Sequence, residues 1–280
     1  MVKQTLYAHM VDMGGIPVRQ PLPTANIEQI DPFLLLHHHI GNFKENTDAK
    51  NVGVGPHPHR GFSPVTFIYQ GDVHHRDSRN NSSVVKAGGV QWMNAGMGII
   101  HSERPSGELT SKGGTQEIIQ LWINTPQSGK MNQPEYQAFQ NDDLPKISQE
   151  LSVVAGQQNE ISGPARSEMP IAAVMGTIKA GEKITLNSPY QHSMLYVLDR
   201  AVKVEGHGLV EQHNLVVLEE DTSEISLEAE ADTKILFLSA DPLNESLATY
   251  GPFVMNSQSE IMQAMRDYQM GKMGVLIEEF

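Results

Sequence analysis

Cysteine is absent from the 280 residues, which excludes disulfide frameworks, zinc ribbons, iron–sulfur clusters and thiol nucleophiles. Long apolar runs are missing as well. The longest are short stretches such as 33–36, far below the roughly 18 residues a membrane helix requires. Residues 1–15 carry polar and charged side chains where a secretory leader needs an unbroken apolar core, so the expected location is cytoplasmic, with no membrane contact. Basic runs are also lacking. Twenty Lys and Arg against 33 Asp and Glu leave a net charge of −13. A protein that grips phosphate backbones shows a basic patch, so no direct nucleic-acid binding is expected, and anionic membranes are disfavoured on the same grounds.

What is present is a globular composition, with 39% apolar and 19% charged residues. Glycine (24) and proline (16) are scattered throughout and separate short apolar runs at 65–69, 118–123, 194–198, 215–218 and 235–238. Runs of this length, rich in β-branched and aromatic residues, predict strands of an all-β sandwich or barrel. One helix is expected near residue 260. Ser257 and Glu260 have capping-box spacing, Ile261, Ala264, Met265 and Tyr268 recur at helical spacing, and Gly271 stands where a C-cap would. The polar stretch 125–149, with Pro126, Gly129, Pro134 and Pro145, reads as a linker between an N-terminal domain, 1–135, and a C-terminal domain, 136–280.

Histidine is plentiful, and eight of the 12 fall between His37 and His101. In an extended strand His57 and His59 project from one face, as do His101 and Glu103. Either pair alone is weak evidence. Two such pairs about 42 residues apart in a cysteine-free β protein point to one site holding three imidazoles and a carboxylate. That set suits Fe(II), Mn(II), Ni(II), Co(II) or Cu(II), with a closed tetrahedral zinc site as the bland alternative. Gly96 and Gly98 suggest a tight turn feeding the second pair. His37, His38 and His39 read as a solvated strand end, and His74 and His75 as non-ligands at a turn. The C-terminal half has His192, His207 and His213 without either paired spacing, so no second metal site is expected there. Met93 and Trp122 default to core packing, with a cavity wall as the other option.

The segments His57-Pro-His59-Arg-Gly-Phe62, Gln91-Trp-Met-Asn-Ala-Gly-Met-Gly-Ile-Ile-His-Ser-Glu103, Gln120-Leu-Trp122 and Gly251-Pro-Phe-Val-Met-Asn256 resemble the pirin family of bicupins, as does Asp31-Pro-Phe-Leu-Leu-Leu36. The resemblance spans about residues 31–274. It implies two jelly-roll cupin barrels and a short C-terminal helix, with one metal in the N-terminal barrel held by His57, His59, His101 and Glu103. The sequence departs from the family pattern at His37–His39 and at Ser63, neither of which is a family ligand position. Bacterial relatives with quercetin 2,3-dioxygenase activity fit this acidic chain better than the family's nuclear transcriptional co-regulators. The resemblance thus implies a metal-dependent dioxygenase acting on a flavonol or similar aromatic enol with O2. Fe(II) stands first as cofactor, and Mn, Ni, Co, Cu or Zn are the others the set accepts. Glu103 is the expected catalytic residue. Two alternatives stand beside it: a metal- or redox-sensing regulator that binds a partner protein, and a metalloprotein whose ion only braces the barrel.

Overall fold

The apolar runs between turn formers do become strands. The computed structural model describes residues 1–278, which form largely antiparallel sheets and two α-helices, Gly107–Lys112 and Gln258–Gln269. Each of the five runs predicted above lies within or overlaps a strand: Phe62–Gln70, Gly114–Asn124, His192–Val197, Asn214–Leu218 and Thr233–Ala240.

The chain folds as two units, each assembled from two stretches: Met1–His38 with Asp142–Pro242, and His39–Asn141 with Leu243–Phe280. The units change over at 38/39, 141/142 and 242/243, so the terminal segments do not stay with the halves in which they begin. Composition carries no trace of this, because sheet pairing rather than chain order decides where a strand belongs. In the first unit, Val2–Tyr7 pairs with Asn214–Leu218, so the N-terminal strand completes a sheet otherwise made of residues beyond 150. That unit packs a six-stranded sheet and a four-stranded sheet around Leu151, Val174, Leu195, Val216, Ile235 and Phe237, all fully buried.

The second unit has the same sandwich logic. One sheet runs in the order Val54–His59, Ile99–Arg104, Asp72–Asp77, Ser82–Lys86. Facing it, Glu135–Phe139, Val90–Asn94, Phe62–Gln70 and Gly114–Asn124 lie side by side. Phe62–Gln70 is buried continuously from Phe62 to Ile68, and alternation along Gly114–Asn124 buries Ile119, Leu121 and Ile123. The stretch 125–149 is more than a linker. Its middle, Glu135–Phe139, pairs in register with Val90–Asn94 and supplies the last strand of that sheet. Five residues between flanking prolines are too few to show a period, and so the strand escaped the sequence pattern.

The helix Gln258–Gln269 begins as expected. Ser257 Oγ accepts from the Glu260 N–H, and Glu260 Oε2 accepts from the Ser257 hydroxyl and the Asn256 N–H. Its buried face is Ile261, Ala264 and Asp267, while Tyr268, expected among the apolar contacts, is 41% exposed. A charged residue thus takes the place of an aromatic one on the packed face, for a reason that appears at Arg60. Ser257→Ala should lower unfolding stability by about 1 kcal/mol, read from urea denaturation, because one helix N–H loses its acceptor.

Candidate metal centre

The Val54–His59 and Ile99–Arg104 strands pair antiparallel with His101 directly opposite His57. Residues opposite one another share a face, so this register brings the two motif pairs together. The turn into Ile99–Arg104 needs its glycines. Gly96 has φ +47°, and a Cβ there would collide with the Asn132 carbonyl. On the other ligand strand, Gly61 (φ +83°) lets the corner after His59 and Arg60 pass against Val254.

His57, His59 and His101 each turn one ring nitrogen toward a common point, all within 4.8 Å of one another. His57 Nε2 lies 3.0 Å from His59 Nε2 and 3.0 Å from His101 Nε2. Among the described residues this is the one group of three or more such side chains that converges. His59 is walled by Phe62 and by Trp122, at ring-centroid distances of 5.0 and 5.4 Å. Trp122 is therefore a wall of the site, whereas Met93 packs in a core cluster with Ala95 and Ile99.

Glu103, two residues beyond His101, lies outside that convergence. Its Oε1 accepts from the Thr66 hydroxyl at 2.5 Å and its Oε2 from the Gln120 amide at 3.3 Å. Thr66 and Gln120 are themselves opposed in register on the facing sheet, so the carboxylate reaches across the sandwich to a fixed pair of donors. Nothing in the local sequence around Thr66 and Gln120 signals this, since they meet Glu103 only through sheet stacking.

The protonation pattern suits a cation. His57 Nδ1–H donates to the Gly55 carbonyl at 2.8 Å, which leaves its Nε2 as a lone pair in the neutral ring. Burial, reinforced by the positive ends of neighbouring histidines, holds His59 and His101 well below the ordinary imidazole range, with the Pro252 carbonyl acting weakly the other way on His59. Protons are therefore disfavoured where the three nitrogens meet, and lone pairs about 3 Å apart repel unless a cation lies between them. These residues fit a divalent transition metal.

Two other buried residues belong to this neighbourhood. His75 Nε2–H donates to Asp77 Oδ2 at 2.9 Å, and the His75 ring stacks on Tyr136 at 3.9 Å. Burial pushes the Asp77 carboxyl up, but hydrogen bonds from His75, Asn81 and two backbone N–H groups outweigh it and hold the group below its usual value. Burial also pushes the Tyr136 phenol up. His74 bonds the Ser82 hydroxyl on the outer side. Both histidines lie within the Asp72–Asp77 strand rather than at a turn, and neither joins the converging three.

The His37–His39 run is not a solvated strand end. His37 and His38 are 8% and 1% exposed; His37 Nε2 meets Gln20 Oε1 at 2.7 Å and His38 Nδ1 meets the Tyr196 hydroxyl at 3.1 Å. Burial pushes His37 down to about 4. Two consecutive side chains are buried because this strand is covered on both faces.

Comparison with known proteins gives consistent matches. The family model described as Pirin matches residues 15–123, and the Pirin C-terminal cupin domain matches 173–274. A Pseudomonas aeruginosa protein provisionally named a quercetin 2,3-dioxygenase is 40% identical over 92% of both chains. Pirin-like protein 2 of Arabidopsis thaliana is 34% identical, covering 98% of this chain and 85% of its own. A crystal structure of quercetin 2,3-dioxygenase from Acinetobacter baumannii superposes with a TM-score of 0.89 at 39% identity, over 99% of both chains.

Proposed function

The chain belongs to the pirin family of cupins, and from that premise and the donor set we propose that it is a metal-dependent dioxygenase cleaving flavonols of the quercetin type. The observation that carries the reading is the convergence of three imidazole nitrogens beside Phe62 and Trp122, with burial holding His59 and His101 well below the ordinary imidazole range. His57, His59 and His101 would hold the ion, Fe(II) in the first instance, and a free lone pair of the Glu103 carboxylate that Thr66 and Gln120 hold would supply the fourth ligand. When bound, the ion supplies Lewis acidity that favours the enolate of a 3-hydroxy-4-keto substrate.

The chain's own residues do the rest. Glu103 takes the proton of the substrate hydroxyl, and the Thr66 hydroxyl and Gln120 amide fix the direction in which its free lone pairs point. Trp122, only partly buried, offers a flat apolar face to the aromatic rings, and the fully buried Phe62 backs both Trp122 and His59. The flavonol ring opens with both atoms of O2 entering the product and one ring carbon leaving as carbon monoxide.

The test is loss of quercetin absorbance in air, using protein stripped and separately reloaded with Fe(II), Mn(II), Ni(II), Co(II), Cu(II) and Zn(II). Turnover with at least one ion is expected. Glu103→Gln should slow it by about 10²–10⁴-fold, the contribution of a positioned general base. Bound metal with no turnover under any loading would overturn the dioxygenase reading and favour a regulator acting through a partner protein.

A further inference from the structure

His75 carries no role in the reaction just described, yet it sits 1% exposed between a carboxylate and a ligand ring. The Asp72–Asp77 strand pairs with Ile99–Arg104 so that Asp77 opposes His101 and His75 opposes Glu103. That register sets three groups in a row. His101 Nδ1 lies 3.4 Å from His75 Nδ1, and His75 Nε2 lies 2.9 Å from Asp77 Oδ2.

Each step fixes the next. Asp77 is itself locked: Oδ1 accepts from the N–H groups of Arg79 and Asn81, and Oδ2 accepts from the Asn81 amide as well as from His75. A carboxylate so held is an acceptor only, and it requires the hydrogen of His75 on Nε2. In the neutral ring His75 Nδ1 is then a lone pair. It faces His101 Nδ1, which must supply the hydrogen. His101 Nε2 is left bare, directed at His57 and His59. The stack on Tyr136, 6° from parallel, stops the His75 ring from turning over.

We propose that Asp77 and His75 form a positioning relay that sets the tautomer of His101 and so presents its Nε2 to the metal. The inference rests on the three-histidine metal centre and adds two residues to it that do not touch the ion. Carboxylate partners behind ligating histidines orient the ring and raise its basicity, and their loss costs about 10–100-fold in metal affinity. Here one imidazole is interposed, so the carboxylate acts at one remove.

The experiment uses the full chain in two arms. In the first, nitrogen-15 NMR of the metal-free protein reads which nitrogen of His75 and His101 carries hydrogen. In the second, a chelator competition measures nickel(II) affinity. Wild type should show hydrogen on His101 Nδ1 and His75 Nε2. Asp77→Asn keeps the acceptor oxygen for the Arg79 and Asn81 N–H groups while its amide turns a donor toward His75. It should reverse both tautomers and weaken nickel binding by about 10–100-fold. His75→Phe keeps the stack on Tyr136 but gives His101 no acceptor, and should weaken nickel binding over the same range. A variant that merely loosens the strand would lower the melting temperature without moving hydrogen between nitrogens. Unchanged tautomers in Asp77→Asn, or nickel affinity within about twofold of wild type in both variants, would overturn the relay. Wild-type protein that takes up no nickel would instead overturn the metal centre, and the NMR arm would still decide the tautomers.

Discussion

Replacing His101 by alanine should leave a folded chain that no longer retains a metal ion through desalting. Four-ligand protein sites gain about 10–16 kcal/mol from an ion such as zinc, or roughly 2.5–4 kcal/mol for each ligand. Losing one of three converging imidazoles therefore weakens binding about 10²–10³-fold, at 1.4 kcal/mol for each factor of ten. Metal content by plasma mass spectrometry should fall from near one ion per chain to background, and flavonol turnover should fall with it. His74→Ala is the control. His74 lies two residues from Arg76 on the same strand but bonds Ser82, away from the converging nitrogens, and its loss should leave the metal in place. Full metal occupancy in His101→Ala would put the ion somewhere other than the three histidines.

Asp267→Ala should be the most destabilising single change outside the apolar core. Asp267 accepts from Arg60 at 2.9 Å, Lys272 at 2.9 Å and Gln263 at 2.8 Å. The Arg60 and Asp267 side chains are only 4% and 10% exposed. Removing the carboxylate strands a buried guanidinium, a change that costs about 3–5 kcal/mol. For a chain of this size the melting temperature should drop by roughly 6–20 °C. Arg60 directly follows His59, so metal affinity should fall too, though less than in His101→Ala.

The same carboxylate gives a pH signature. Lys272 first, then Arg60 and Gln263, hold it down at about 2 against the opposing effect of burial, from an ordinary 3.8. A depressed carboxyl adds stability that is complete above its unfolded value and is lost as pH falls through the folded one. About 2 kcal/mol should therefore disappear between roughly pH 4 and pH 2. Melting temperatures across that window should decline less steeply in Asp267→Ala than in wild type. Parallel declines would show that the ion pair contributes nothing.

How much of this was legible beforehand depends on whether a feature is local. His57 with His59, and His101 with Glu103, could be read because a strand repeats every two residues, so spacing alone puts each pair on one face. The capping box at Ser257 is local in the same way. The resemblance to pirins supplied the jelly-roll fold, which spacing left as a sandwich or barrel. What stayed hidden needed a partner strand. Asp77 and His75 matter because of the register with Ile99–Arg104, and Thr66 and Gln120 because one sheet stacks on the other. The burial of His37 and His38 was missed because a polar run gives no sign of cover on both faces. Asp267 carries no local signal either, because its partner Arg60 lies 207 residues earlier in the chain.

That separation bears on how the protein is made. The ligand-bearing unit takes its ligand strands from His39–Asn141 but its anchoring helix from the segment after Leu243. On a ribosome adding about 5–20 residues each second, the intervening Asp142–Pro242 must emerge first, and it completes the other unit. Until Asp267 follows, Arg60 beside His59 has no counter-charge. A product truncated before Gln258 would therefore carry the three histidines without the carboxylate that clasps Arg60.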